Sequence, residues 1–197
     1  KTQMLVDKSI HHYIKHLEET EAPFVVMGTV GSGAIENRIM GSQTSKIKNE
    51  ISSPVLVVPT EANFEGIADI IFATDYKSSD TNHFSLLAEI GAYFKSEISA
   101  VHVADGAYDE ATELILLSDF EKEIKKSVDY LKLNFKLLYA NNIEDRLNTM
   151  IMEEDIDLLV LVTQKRTFFD RFFDRSLAKK MIYHTLVPML IFANPKK

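Results

Sequence analysis

The sequence predicts an α/β protein on a doubly wound, five-stranded parallel sheet that is present twice, the first copy truncated. Three observations carry this. Short apolar runs alternate with amphipathic stretches of helical length, which implies a parallel sheet covered by helices on both faces. Most runs, such as Leu159-Val160-Leu161-Val162, are continuously apolar, as strands buried on both faces require. The runs also recur. Phe24-Val25-Val26-Met27 resembles Leu159 to Val162 at an offset of 135, and Pro54-Val55-Leu56-Val57 resembles Pro188-Met189-Leu190-Ile191 at an offset of 134. One duplicated unit, with one residue lost between the landmarks in the second copy, accounts for both.

The second copy reads as a full alternation. Ile70 to Thr74 is a buried strand and Ser79 to Phe94 an amphipathic helix. Ile98 to Val103 is a strand, Ala111 to Leu133 a long helix and Phe135 to Tyr139 a strand. Ile143 to Glu154 is a helix, Ile156 to Val162 a strand, Phe172 to Tyr183 a last helix and Val187 to Phe192 the final strand. In the first copy a helix over Ser9 to Glu21 matches Glu144 to Asp155, and the strands Phe24 to Met27 and Pro54 to Val58 follow. Residues 1–59 are therefore the later half of a first domain, 60–66 a linker and 67–197 a second domain. The repeat arithmetic predicts roughly 70 residues ahead of Lys1. Without them, the strand at residues 24–27 would have an unpaired apolar edge.

Composition narrows the function. A net charge of −7 argues against a general nucleic-acid backbone binder, which needs a basic face. No apolar run approaches the roughly 18 residues of a membrane helix. Cysteine is absent, which excludes disulfides and thiolate metal sites.

Gly28-x2-Gly31-x9-Gly41-Ser42 is the motif that carries chemistry. It follows a buried strand and runs into a helical stretch, the arrangement in which backbone N–H groups converge on a phosphate. Glycine permits close backbone approach, and Ser42 adds a hydroxyl donor. The bland alternative is a tight connection whose glycines only relieve backbone strain. Gly33 lies outside the spacing and reads as loop flexibility.

Gly28, Gly31, Gly41 and Ser42, with the Val-Met-Gly strand end before them and Pro54-Val55-Leu56-Val57-Val58 after them, resemble the universal stress proteins. Thr74-Asp75 resembles the family's first-strand ending. The resemblance implies an adenine nucleotide alpha hydrolase-like fold and, in one subfamily, bound ATP with magnesium as its companion ion. Met27, Gly28, Val30 and Gly31 would line the ribose and phosphates. Gly41, Ser42, Gln43 and Thr44 would hold the phosphates, and Asp75 marks the adenine side in the second copy. It also implies a cytoplasmic regulator of the stress response and a homodimer. Val55 to Val58 would pair with Met189 to Phe192 within the chain.

The second copy departs from the pattern. Thr163, Arg166 and Arg175 stand where the glycines would be, and only Ser176 is kept. Side chains there obstruct a phosphate loop, so no nucleotide is expected in that copy. Asp75 follows a strand of the second copy, so it should not complete the first copy's loop.

The remaining candidates read as structure. His12 and His16 have metal-ligand spacing but no third ligand, and read as a solvated helix face. His102 reads as packed or at a ligand's edge rather than catalytic. Four phenylalanines among Phe168 to Phe173 exceed what one helix face buries, so some should meet another domain or subunit. No Walker signature, G-x-S-x-G elbow or complete dinucleotide fingerprint is present, and no catalytic constellation can be assigned. The expectation is a binding protein, not an enzyme, with a nucleotide-free interaction scaffold as the alternative.

Overall fold

Apolar runs become strands, and their alternate residues divide between two cores. A computed structural model describes residues 24–28, 53–59, 62–163 and 187–193. Its elements, in chain order, are β1 (Val25–Gly28), β2 (Val55–Val58), β3 (Asp69–Ala73), α1 (Ser78–Thr81), α2 (Phe84–Phe94) and β4 (Glu97–Ala104). There follow α3 (Glu110–Ser127), β5 (Leu133–Tyr139), α4 (Ile143–Glu153), β6 (Leu158–Thr163) and β7 (Met189–Ala193). They form one seven-stranded sheet in the order β1-β2-β7-β6-β3-β4-β5. Every neighbouring pair is parallel except β2 with β7.

On one face Ile71, Val101 and Leu159 pack with Leu147, Met150 and Ile151 of α4. On the other, Ile70, Phe72 and Val160 pack with Phe84 and Leu87 of α2 and with Phe120 and Ile124 of α3. The doubly wound, mainly parallel α/β class follows directly. Gly91 shows how close the layers come: a Cβ there would meet Ile98 Cδ1 at 2.8 Å and the Tyr130 hydroxyl at 3.0 Å.

Two predicted helices are corrected. The helix expected over Ser79 to Phe94 is split at Asn82 and His83, with the apolar face beginning only at Phe84. The helix expected to reach Leu133 ends at Ser127, and Val128 is extended (φ −136°, ψ 124°). Tyr130 then donates its hydroxyl to the Ser96 carbonyl and turns the chain into β5. The helices expected over 9–21 and 172–183, with the phenylalanine cluster, lie outside the described residues.

The ladders correct the repeat register. Val25 pairs with Val55, and Leu159 pairs with Met189. Both members are therefore related by one offset of 134, and no residue is lost between the landmarks. Sliding one apolar run along another leaves hydropathy unchanged, so the sequence alone could misplace it by one. The hydrogen bonds cannot slide: Val25 N–H donates to the Pro54 carbonyl at 2.9 Å and Leu159 N–H to the Pro188 carbonyl at 3.0 Å.

At the β2–β7 contact Val55 faces Ile191, Leu56 faces Leu190 and Val57 faces Met189. Under the same offset, Val55 corresponds to Met189 and Val57 to Ile191. A local two-fold axis therefore passes through the Leu56–Leu190 pair and exchanges β1–β2 with β6–β7.

Candidate functional site

β3 is where the winding of the sheet reverses: the chain leaves it for β4 on one side and later returns as β6 on the other. In open α/β sheets the crevice beyond the strand ends at such a point is where ligands bind. A cleft of about 300 Å³ lies there, walled by Val101, Val103, Leu161 and Ile143, with Thr74 and Asp75 at its polar end.

The turn after β3 owes its shape to a buried carboxylate. Asp80 is 3 % exposed and accepts the Thr74 hydroxyl at 2.8 Å and the Asp75 N–H at 3.4 Å. Thr74 Oγ1 in turn accepts the Tyr76 N–H at 3.0 Å. These bonds hold Tyr76 in the left-handed region (φ 57°), which a bulky residue adopts rarely. The Asp75 carboxylate instead turns outward to Lys77, 2.7 Å away, and this exposed pair contributes little to stability.

Behind the turn, His102 Nδ1 lies 2.7 Å from the Thr74 carbonyl, and its Nε2 lies 3.5 Å from Glu113 Oε2. The Tyr76 ring packs on the imidazole with centroids 4.3 Å apart. Tyr76 Oη and Glu113 Oε2 are buried and have no hydrogen-bond partner among the described residues. Burial first, then Glu113 and Tyr139, pushes the Tyr76 phenol well above the ordinary tyrosine range, so it stays neutral. The arrangement positions a turn and supplies polar and apolar walls. Among the described residues, no group of three or more His, Cys, Asp or Glu could hold a metal ion.

Replacing Asp80 with alanine is expected to cost about 1–3 kcal/mol, because it strands the Thr74 hydroxyl and the Asp75 N–H in a buried turn. Denaturant unfolding measures the loss. Asp80→Asn, which keeps one acceptor oxygen, should retain at least half of that stability.

Of the residues read from sequence, Gly28 and Asp75 are described, as is the backbone of Met27. Gly28 closes β1, outside the left-handed region, and among the described residues a Cβ there would meet nothing within 4 Å. Val30, Gly31, Gly41, Ser42, Gln43 and Thr44 lie outside the described residues, as do His12, His16, Arg166 and Arg175. The structure does not bring Gly28 and Asp75 together. β2, β7 and β6 separate their strands, and the antiparallel contact sends the two strand ends to opposite ends of the sheet. Sequence reasoning missed Asp80, the buried acid of the turn, and Glu113, the buried acid behind it.

No family model matches the sequence, and no curated protein matches it. Solved structures do resemble the fold. A universal stress protein from Archaeoglobus fulgidus DSM 4304 superposes with a TM-score of 0.71 at 12 % identity, over 94 % of this chain and 66 % of that one. The chain has the universal stress protein fold. It spans just under two thirds of that protein's length. A shorter universal stress protein from Archaeoglobus fulgidus matches with a TM-score of 0.50 at 19 % identity, over 64 % of this chain and 94 % of its own. A functionally unknown protein from Pseudomonas aeruginosa PAO1 gives a TM-score of 0.59 at 12 % identity, over 95 % of this chain and 69 % of that one. In the universal stress protein fold seen here, no helix among the described residues is long and apolar enough to cross a membrane.

Proposed function

We propose that this chain is a cytoplasmic tandem universal stress protein that binds ATP, with magnesium, at the loop from Gly28 to Ser42. It acts as a nucleotide-responsive regulatory module of the stress response and as a homodimer. Bound nucleotide biases conformation or partner choice, and no hydrolysis is required of it. Gly28 is the observation that carries the reading. Among the described residues a Cβ at Gly28 would meet nothing within 4 Å, so its backbone is open to the close approach of a guest. The spacing of Gly31, Gly41 and Ser42 behind it supplies the rest of an anion cradle. The tandem reading is supported by the single offset of 134 that relates both ladders.

The test is mass spectrometry of the gently purified protein. ATP is expected to travel with it, and Gly31→Val should weaken binding about 100-fold or more while leaving the unfolding midpoint of the apoprotein unchanged. Ser42→Ala should weaken it about tenfold, the worth of one hydrogen bond to a charged group. An empty wild-type protein with no thermal shift in millimolar ATP would sink the nucleotide reading. It would favour the alternative, an interaction scaffold, for which the antiparallel contact between β2 and β7 is the supporting observation.

A further inference from the structure

We infer that His102 carries a proton on both ring nitrogens and, as a positioning residue, clamps the turn after β3 to Glu113 of α3. The clamp matters because Ala73, Thr74 and Asp75, at that strand end, line the crevice.

Hydrogen-bond chemistry locates the first proton. Nδ1 lies 2.7 Å from the Thr74 carbonyl oxygen, and a carbonyl only accepts, so Nδ1 is the donor. A neutral imidazole has a single N–H. With that proton directed at Thr74, Nε2 would present a bare lone pair to Glu113 Oε2, 3.5 Å away. The Glu113 side chain is 2 % exposed and that of His102 17 %, so water screens the contact poorly. Two acceptors facing each other there would repel. Among the described residues, Oε2 has no hydrogen-bond partner to relieve the repulsion. A second proton, on Nε2, turns it into a buried ion pair. At 3.5 Å the attraction is one of charge rather than a tight hydrogen bond.

The surroundings favour the same assignment. Glu113 lies in the first turn of α3, where the helix N-terminus stabilises an ionised carboxylate. The Tyr76 ring, with its centroid 4.3 Å from that of the imidazole, offers a π surface to a cation. The groups around the pair supply no other positive charge among the described residues. The turn contributes Tyr76 and Asp80, β5 contributes Tyr139, and α3 contributes Glu110 besides Glu113. Each of these is neutral or negative. Lys77 pairs instead with the exposed Asp75 carboxylate. His102 is therefore the cation that answers Glu113, and its other nitrogen holds the Thr74 carbonyl.

The test is heteronuclear NMR of the full chain at neutral pH, with isotope-labelled histidine assigned through bonds from Cβ. Both ring nitrogens of His102 are expected to resonate where protonated nitrogens do. Glu113→Gln removes the charge and keeps the shape. The imidazole, mostly neutral at that pH when left alone, should then hold one proton. Nδ1 should stay in place, and Nε2 should move to the position of a bare nitrogen. His102→Gln should shift the backbone signals of residues 74–76 and leave those of residues 69–71 unmoved. A bare Nε2 in the wild-type protein, an Nε2 indifferent to Glu113→Gln, or unmoved signals at residues 74–76 would each overturn the inference. The wild-type spectrum decides the proton by itself if a variant fails to fold. Urea midpoints of His102→Phe, Glu113→Leu and the double variant give an independent check. Each single change should lower the midpoint, and the double variant should lie above His102→Phe, because it no longer buries a lone carboxylate. Losses that simply add would show that the two side chains act separately, and the clamp would be refuted.

Discussion

Phe72→Ala will destabilise the fold by about 3–5 kcal/mol, a third or more of the total stability of an ordinary domain. Phe72 sits in β3, the strand from which the sheet is wound in both directions, and it is fully buried. Its ring packs 4.5 Å from that of Phe84, which itself meets Phe120 at 6.1 Å. One side chain thus joins the sheet to α2 and, through Phe84, to α3. Truncation to a methyl group loses the transfer energy and leaves a cavity that three rigid elements cannot close. Urea unfolding should show a lower midpoint with an unchanged slope. A loss below about 1 kcal/mol would mean that the layers repack freely, contrary to the packing described.

Val57→Pro will cost about 2–4 kcal/mol, and its effect will be local. The bond from Val25 to Pro54 sets the phase of β2: Pro54, Leu56 and Val58 face β1, and Val55 and Val57 face β7. Proline at Val57 removes a donor from the β2–β7 contact and forces a ring into a site only 8 % exposed. Only three residue pairs join these strands. Hydrogen exchange should therefore show β1 and β2 opening at low free energy while β3, β4 and β5 keep their protection. Uniform loss of protection would show instead that all seven strands unfold as one unit.

Most strands were legible in the sequence because they are runs of apolar residues that a two-sided sheet buries. Their ends were off by one or two residues, as hydropathy does not mark the last ladder bond. The overrun of α3 has a specific cause. Residues 128–132 carry helix-compatible side chains, but the Tyr130–Ser96 bond and the exposed Leu131 belong to a turn. The break before Phe84 was hidden for a similar reason: Asp80 looks like an ordinary first-turn acid until Thr74 claims it. At the site, the family resemblance pointed to Asp75 at a strand end. It could not say that Asp80 would turn inward, because the Thr74 hydroxyl and Asp75 N–H that it accepts are brought to it only by the folded turn.

The reversal of direction between β2 and β7 has a consequence for any two guests of this protein. The crevice beyond β3 and β6 and the end of β1 at Gly28 lie at opposite poles of the same sheet. A guest at one of these strand ends would lie the length of the strands away from a guest at the other. Among the described residues, the seam at which the strands of the two halves join is the antiparallel contact about the Leu56–Leu190 pair.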